Sequence, residues 1–324
     1  MMRKFIKNFN LFFTVIFLWF KSLSAQQLPQ YTNYLLNYHA LNPAAAGSTN
    51  CLDLKVGVRT QWVGFEGAPK TQFLQANSFL KRKRKLWKRS KHAIGFLFEN
   101  DQTGSSGPIR QTRFAISYAY HIPVSRTAFF AAGLYAGLNQ FVVQSERFDP
   151  FTLEDPLLYG SGRKLVYPDF NPGILYYSDK GFIGLSVKNA YGNKLGGVLG
   201  AASKMNRHFF LTGGYTIGGE RALFRYTPSA NIKFVSMNLP SLDLSFMVTY
   251  NKVVDFGVAY RLVDGVCAFA NYRIKKWSVG YAYDFNLSKV RYSSSNSHEI
   301  IISYRFCPVN QSDNNGNEHC PAYR

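Results

Sequence analysis

Beyond residue 25 this 324-residue chain has no apolar stretch near the ~20 residues that a membrane-spanning helix needs; every candidate is cut by a charge, an amide or a glycine cluster. It also lacks acid, with 18 Asp and Glu against 38 Lys and Arg and a formal charge of +20. It has only four cysteines and four tryptophans. The six histidines (His39, His92, His121, His208, His298, His319) are scattered, and no HExxH, Cys-x-x-Cys or Gly-x-Ser-x-Gly spacing occurs. That removes the linear signatures of zinc proteases, redox dithiols and nucleophile-elbow hydrolases. A hydrolase triad assembled from separate strands leaves no such signature, so a membrane hydrolase stays a third reading.

What is present begins with a leader. Arg3, Lys4 and Lys7 precede the ten-residue run Leu11 to Phe20, and Ser22-Leu23-Ser24-Ala25 follows. This order reads as a secretory signal peptide over 1–25, cut before Gln26. Its removal takes four cations and no acid, so the charge falls from +20 to +16 on 299 residues. The excess is concentrated in Lys81, Arg82, Lys83, Arg84, Lys85, Lys88, Arg89 and Lys91, eight cations within eleven residues. Such a run suggests nucleic acid first. An exported protein does not normally meet nucleic acid, so a solvated turn or a contact with acidic lipid headgroups or a periplasmic protein is expected.

Aromatics are abundant, with 28 Phe and 21 Tyr, and so is glycine, at 26. Membrane barrels use aromatics as interfacial belts and glycine to relieve curvature. Strict alternation supports the same class. Leu242, Leu244, Phe246, Val248 and Tyr250 interleave with Ser241, Asp243, Ser245, Met247 and Thr249, and Trp277, Val279, Tyr281, Tyr283 and Phe285 with Ser278, Gly280, Ala282 and Asp284. One face suits lipid and the other a polar lumen. The expected fold is therefore an all-β transmembrane antiparallel barrel over 51–306, of about 14 strands. They fall near 52–62, 70–79, 92–101, 111–121, 127–140, 171–178, 181–189, 206–217, 223–237, 241–250, 253–262, 265–273, 276–286 and 298–306. Long connections (144–170, 190–205, 286–297) alternate with short ones, and both termini are expected in the periplasm. Asp255 and Asp284 should face inward and pair with cations such as Arg261 and Lys276. A soluble all-β fold has no reason to alternate its connections in this way.

Before the barrel, 26–50 is rich in amides and aromatics without strand alternation, and Pro43 and Gly47 mark a turn. It reads as a plug or a periplasmic cap. After the barrel, 307–324 is a polar tail. Cys51 opens strand one and Cys307 follows strand fourteen, so a Cys51–Cys307 bridge across the seam competes with Cys307–Cys320 and with free thiols.

Two stretches, QYTNYLLNYHALNPAAAG and RTQWVGFEGAPKTQ, resemble the opening of the PorP/SprF family of type IX secretion proteins. The layout of His92 to Asp101, Tyr118-Ala119-Tyr120 and His298 to Phe306 continues the resemblance. The resemblance implies a non-enzymatic outer-membrane barrel of Bacteroidetes, without cofactor or metal. It would support type IX secretion, surface attachment of large adhesins and gliding motility. Its implied partners are outer-membrane lipid, periplasmic secretion components and the C-terminal domain of a secreted adhesin, with no nucleic acid. A passive porin or substrate-specific channel is the alternative. The positions matching the family motifs are Tyr31, Asn42, Pro43, Gly47, Arg59, Gln61, Trp62, Gly64 and Pro69, and a fold-keeping role is weighed ahead of direct partner contact. Arg59 and Gln61 should face the lumen, and Trp62 should anchor at the outer interface.

Overall fold

In a computed structural model, fourteen strands close into one antiparallel barrel. They are β1 (Leu52–Thr60), β2 (Lys70–Leu80), β3 (Lys91–Thr103), β4 (Ile109–Pro123), β5 (Phe129–Val143), β6 (Arg163–Tyr177) and β7 (Gly181–Lys188), then β8 (His208–Tyr215), β9 (Phe224–Val235), β10 (Ser241–Tyr250), β11 (Val254–Arg261), β12 (Gly265–Ile274), β13 (Trp277–Asn286) and β14 (Ser297–Phe306). The structure describes residues 28–29, 31–49, 51–80, 90–105, 108–144, 163–195, 204–219, 221–235, 240–262, 264–287 and 294–307. The leader, the basic residues Lys81 to Arg89, the polar tail with Cys320 and parts of the long connections lie outside them.

Alternation becomes wall and lumen as the pleat requires. On β1, Asp53, Lys55, Gly57 and Arg59 are buried inside, while Leu52, Val56 and Val58 are exposed on the outer face. Every strand pairs with two neighbours, so the backbone leaves no open edge to lipid over most of the wall. β1 closes on β14 from Leu52 opposite Phe306 to Thr60 opposite His298. Immediately below that seam Cys51 and Cys307, 256 residues apart in sequence, form a disulfide. Cys307 is thereby committed to Cys51 rather than Cys320, and Cys267 is a buried free thiol.

Two expectations are corrected. The sixth strand starts at Arg163 rather than near 171, so most of the expected 144–170 excursion's end is wall. Pro168 and Pro172 hid it. β6 pairs with β7 only over Gly173–Tyr177, so residues 163–172 need partners on the β5 side alone. Proline is tolerated where its missing N–H points away from the ladder, and the Asn193 side chain donates to the Pro168 carbonyl at 2.9 Å on that open side. The second correction concerns Lys276. It lies exposed in the turn between β12 and β13, beside the Phe306 ring at 4.6 Å, and Arg273 is the cation that meets Asp255. Arg261 does reach Asp284, at 3.8 Å.

Candidate functional site: a plug threaded through the lumen

Residues 31–49 lie buried inside the barrel. A short helix, α1 (Tyr38–Leu41), leads into a 3-10 turn at Pro43–Ala45. The Asn42 side-chain oxygen accepts the Ala44 N–H at 3.0 Å, and Pro43 supplies a first-turn residue with no N–H to satisfy. All described residues of the segment are buried except Leu36, which is half-buried.

The segment descends the lumen. Tyr31 and Thr32 touch Glu99, Arg59, Asp284 and Glu299, which lie toward the end carrying the long connections. Lower down, the Tyr34 hydroxyl meets Ser229 and Ser245, and Lys55 donates to the Leu36 carbonyl at 2.6 Å while pairing with Asp53 at 3.0 Å. At the short-turn end, His121 bonds the Ala46 carbonyl at 2.8 Å and the Asn77 side chain accepts the Gly47 N–H at 3.0 Å. Tyr31 and Cys307 therefore lie toward opposite ends of the barrel.

Charge holds the upper part. The Arg59 guanidinium, 2% exposed, bonds Asp284 at 2.6 Å, lies 3.6 Å from Glu299 and donates to the Thr32 hydroxyl at 3.2 Å. Glu299 also accepts the backbone N–H of Thr32 at 2.7 Å. Beside it, Arg113 lies 3.6 Å from Glu99 and 3.7 Å from Asp169, and the Tyr31 hydroxyl donates to Glu99. Buried charges persist only where paired and hydrogen-bonded. Here the backbone and side chains of the plug complete the pairing.

Shape holds the lower part. A Cβ on Gly133 would stand 2.5 Å from the Ala44 nitrogen, and one on Gly173 2.2 Å from the Asn42 side-chain oxygen. A Cβ on Gly184 would stand 2.3 Å from the Tyr38 hydroxyl, and one on Gly95 2.7 Å from the His39 ring. Glycine in these strands makes room for another backbone to approach. Gly47 reciprocates: its φ is +70°, and a Cβ there would lie 2.4 Å from the Ala93 Cβ. His39 sits in the middle of the fit, 3.0 Å from the Ser117 hydroxyl, and its carbonyl accepts the Tyr135 hydroxyl at 2.8 Å. Burial, with the Lys55 ammonium nearby, lowers its imidazole to about 3, so the ring is neutral at ordinary pH.

The motif residues thus divide between two places. Tyr31, Asn42, Pro43, Gly47 and Arg59 belong to the plug and its socket. Gln61, Trp62, Gly64 and Pro69 form a hairpin at the long-connection rim, half-buried or exposed. There the Gln61 N–H donates to the Pro69 carbonyl at 3.0 Å, and Gly64 turns at φ +89°. Trp62 is a turn residue at φ +45°, its N–H bound to the Ser297 hydroxyl and its ring edge-on to Phe65. Of the basic run only Lys91 is described; it starts β3 with its ammonium 4.0 Å from the Phe129 ring. The residues that sequence reasoning passed over are Glu99, Arg113, Asp169, Glu299 and the wall glycines. The readable signal was charge at inward positions of otherwise apolar strands. Among the described residues no group of three or more His, Cys, Asp or Glu is placed to hold a metal ion.

Comparison with known proteins follows the architecture. Among solved structures, the chain is similar to a Pseudomonas aeruginosa FadL homologue (10% identity, TM-score 0.48, covering 87% of this chain and 95% of that one). It is similar to the Pseudomonas putida toluene transporter TodX (9%, 0.48, 88% and 95%). It is also similar to BamA from Haemophilus ducreyi lacking POTRA domains 1–3 (8%, 0.42, 79% and 70%). None of these likenesses is strong enough to say what this chain carries or assembles. No curated protein matches. One family model matches residues 23–304, described as type IX secretion system membrane protein PorP/SprF. A closed barrel of this family fits an outer membrane, and the chain belongs to the PorP/SprF family of type IX secretion system membrane proteins.

Proposed function

We propose that this barrel is a non-enzymatic scaffold of type IX secretion that acts through protein contacts at its rims rather than by conducting solutes. The observation that carries this reading is the plug: 31–49 is built into the lumen by ion pairs above and by glycine-lined close approach below. A passive porin needs an open polar lumen. Here the inward Arg59, Glu99, Asp284, Glu299 and Lys55 bind the barrel's own N-terminal segment.

In this reading the short turns, Cys51 and Cys307 face the periplasm, where the basic run following β2 meets secretion components. The long connections and the hairpin of Gln61, Trp62, Gly64 and Pro69 face outward, where the C-terminal domain of a large adhesin would be received on its way to surface attachment and gliding. The leader over 1–25 delivers the chain to this membrane. Affinity purification from the native membrane, read by mass spectrometry, tests it: recovery of a secretion component together with a large surface protein is expected. Recovery of neither, with steady conductance of the intact protein in planar bilayers, would return the protein to the porins.

A further inference from the structure

The outer wall carries a depression that neither the plug nor the rims explain. It is a shallow, open hollow across β10 to β13 of about 450 Å³, floored by Ala268 and Ala270 between the larger Phe246, Phe256, Val258 and Tyr281. These large side chains point outward and are exposed. Two successive small residues on β12 thus leave a furrow in a wall elsewhere studded with aromatics and branched aliphatics.

Directly below, the same four strands turn in two tight connections. Asn251, Lys252 and Lys275 adopt positive φ, at 46°, 58° and 54°. Glycine is the cheap residue at such positions, and each long side chain there costs backbone strain. Both turns nevertheless carry lysine: Lys252 in one, Lys275 and Lys276 in the other, all exposed. Exposed Tyr250, Tyr272 and Trp277 flank them on the lipid-facing wall, marking the interfacial level at which headgroup phosphates lie. Arg273 adds a fourth cation, paired with Asp255 and donating to the Lys252 carbonyl at 3.2 Å. The other short turns each carry one cation as well, Arg126, Lys180 and Arg221, against the acids Asp179 and Glu220 in sequence.

The geometry points to a site for one anionic glycerophospholipid on this wall, its phosphate held by Lys252, Lys275 and Lys276 and an acyl chain lying in the furrow over Ala268 and Ala270. The dimensions agree. Ala270 and Ala268 stand five and seven residues above Lys275. At ~3.4 Å per residue and a strand tilt of ~40° that is a depth of about 13–18 Å. Half of a ~30 Å hydrocarbon core is about 15 Å, so a lipid anchored at the turns reaches the furrow with the end of its tail. Cations alone would attract any anionic surface, including an acidic protein. The furrow adds a requirement for an acyl chain, and its position on the bilayer-facing wall keeps soluble partners out. The assignment to a glycerophospholipid rests on the periplasmic placement of the short turns proposed above, because that leaflet carries phospholipid.

Native mass spectrometry of the detergent-purified full chain, titrated with phosphatidylglycerol, phosphatidylcholine or lipid A, tests the site. Two variants accompany it, Lys252→Gln/Lys275→Gln/Lys276→Gln and Ala268→Phe/Ala270→Phe, each confirmed folded by heat-modifiable gel mobility. The wild type should retain phosphatidylglycerol at least about tenfold over phosphatidylcholine, because three ammonium groups favour an anionic headgroup over a zwitterionic one. The lysine variant should bring that ratio to within about twofold, and the alanine variant should lower retention of both phospholipids by at least about tenfold. A wild-type ratio near one, a preference that survives the lysine variant, or retention unchanged in the alanine variant overturns the site. Selection of lipid A over phosphatidylglycerol, lost in both variants, would also overturn it and would reverse the proposed orientation. A phospholipid preference with no secretion partner recovered would leave the lipid site standing and sink the functional reading.

Discussion

Replacing Arg59 by Ala should release the upper end of the plug while leaving the barrel closed. Arg59 is 2% exposed and stands between Asp284, at 2.6 Å, and Glu299, at 3.6 Å. Its removal leaves two buried carboxylates in a space where Arg261, 3.8 Å from Asp284, is the nearest remaining guanidinium. Stripping one partner from a buried ion pair costs about 3–5 kcal/mol. That corresponds to an opening equilibrium raised by roughly two to three and a half decades at 1.4 kcal/mol per decade. The carboxylates relieve themselves by leaving the Thr32 and Asn33 N–H groups, which Glu299 accepts in the intact protein. Amide hydrogen exchange at 32–33 reads this directly. Exchange should accelerate by at least about a hundredfold in Arg59→Ala, while amides of 40–47, held by shape, change little. The triple variant Arg59→Met/Asp284→Leu/Glu299→Gln removes every charge of the cluster yet keeps an oxygen for Thr32, and should recover most of the protection. Exchange unchanged in the single variant, or a triple variant no better than the single one, would refute the claim that charge pairing holds this end.

The lower end answers to shape. Gly133→Val places atoms within 2.5 Å of the Ala44 backbone, which cannot turn aside as a side chain can. An overpacking cost of about 1–3 kcal/mol or more should displace 42–47 and open conductance in planar bilayers, while the outward Leu134→Val stays closed. Cys51→Ser should lower the barrel's unfolding transition as much as reducing the wild type does. The chain-entropy ceiling for a bridge spanning 256 residues is about 5.5 kcal/mol, and a melting temperature insensitive to reductant would show the seam holds without it. Acid should loosen the plug through His39. Its folded value of about 3 lies below the usual ~6.5, so the released state binds the proton first and stability falls as pH drops from 6.5 toward 3. At pH 5 the loss is about 2 kcal/mol, seen as faster exchange at 38–41. His39→Gln should flatten that dependence, and an unchanged pH profile in the variant would assign the effect to other groups.

Alternation made the wall readable. Leu242 to Tyr250 and Trp277 to Phe285 announce their faces because lipid admits apolar side chains on every second residue and the lumen does not. The signal failed where a second constraint overrode it. Residues 163–172 run through Pro168 and Pro172, which argue against a strand only if both edges need donors, and one edge of β6 is free over this stretch. The lumen cations showed a similar limit. Alternation put Asp255 inside, yet its partner is Arg273 rather than Lys276, because the turn after Ile274 carries Lys276 out to the rim.

The plug was legible as a segment and illegible as a path. Amides, aromatics, Pro43 and Gly47 mark 31–49 as ordered non-strand, but composition says nothing about which end of a barrel such a segment enters. That direction is written in the wall, at positions that look unremarkable one at a time. Gly95, Gly133, Gly173 and Gly184 read as curvature relief, and Glu99, Arg113 and Glu299 as ordinary lumen charge. Only their contacts with His39, Ala44, Asn42, Tyr38, Tyr31 and Thr32 show that wall and plug share one packing problem. A wall glycine that served curvature alone would accept Ala on its inward face without meeting the plug. At Gly133 even one added carbon meets backbone, so the wall of this barrel is shaped around its own N-terminal segment.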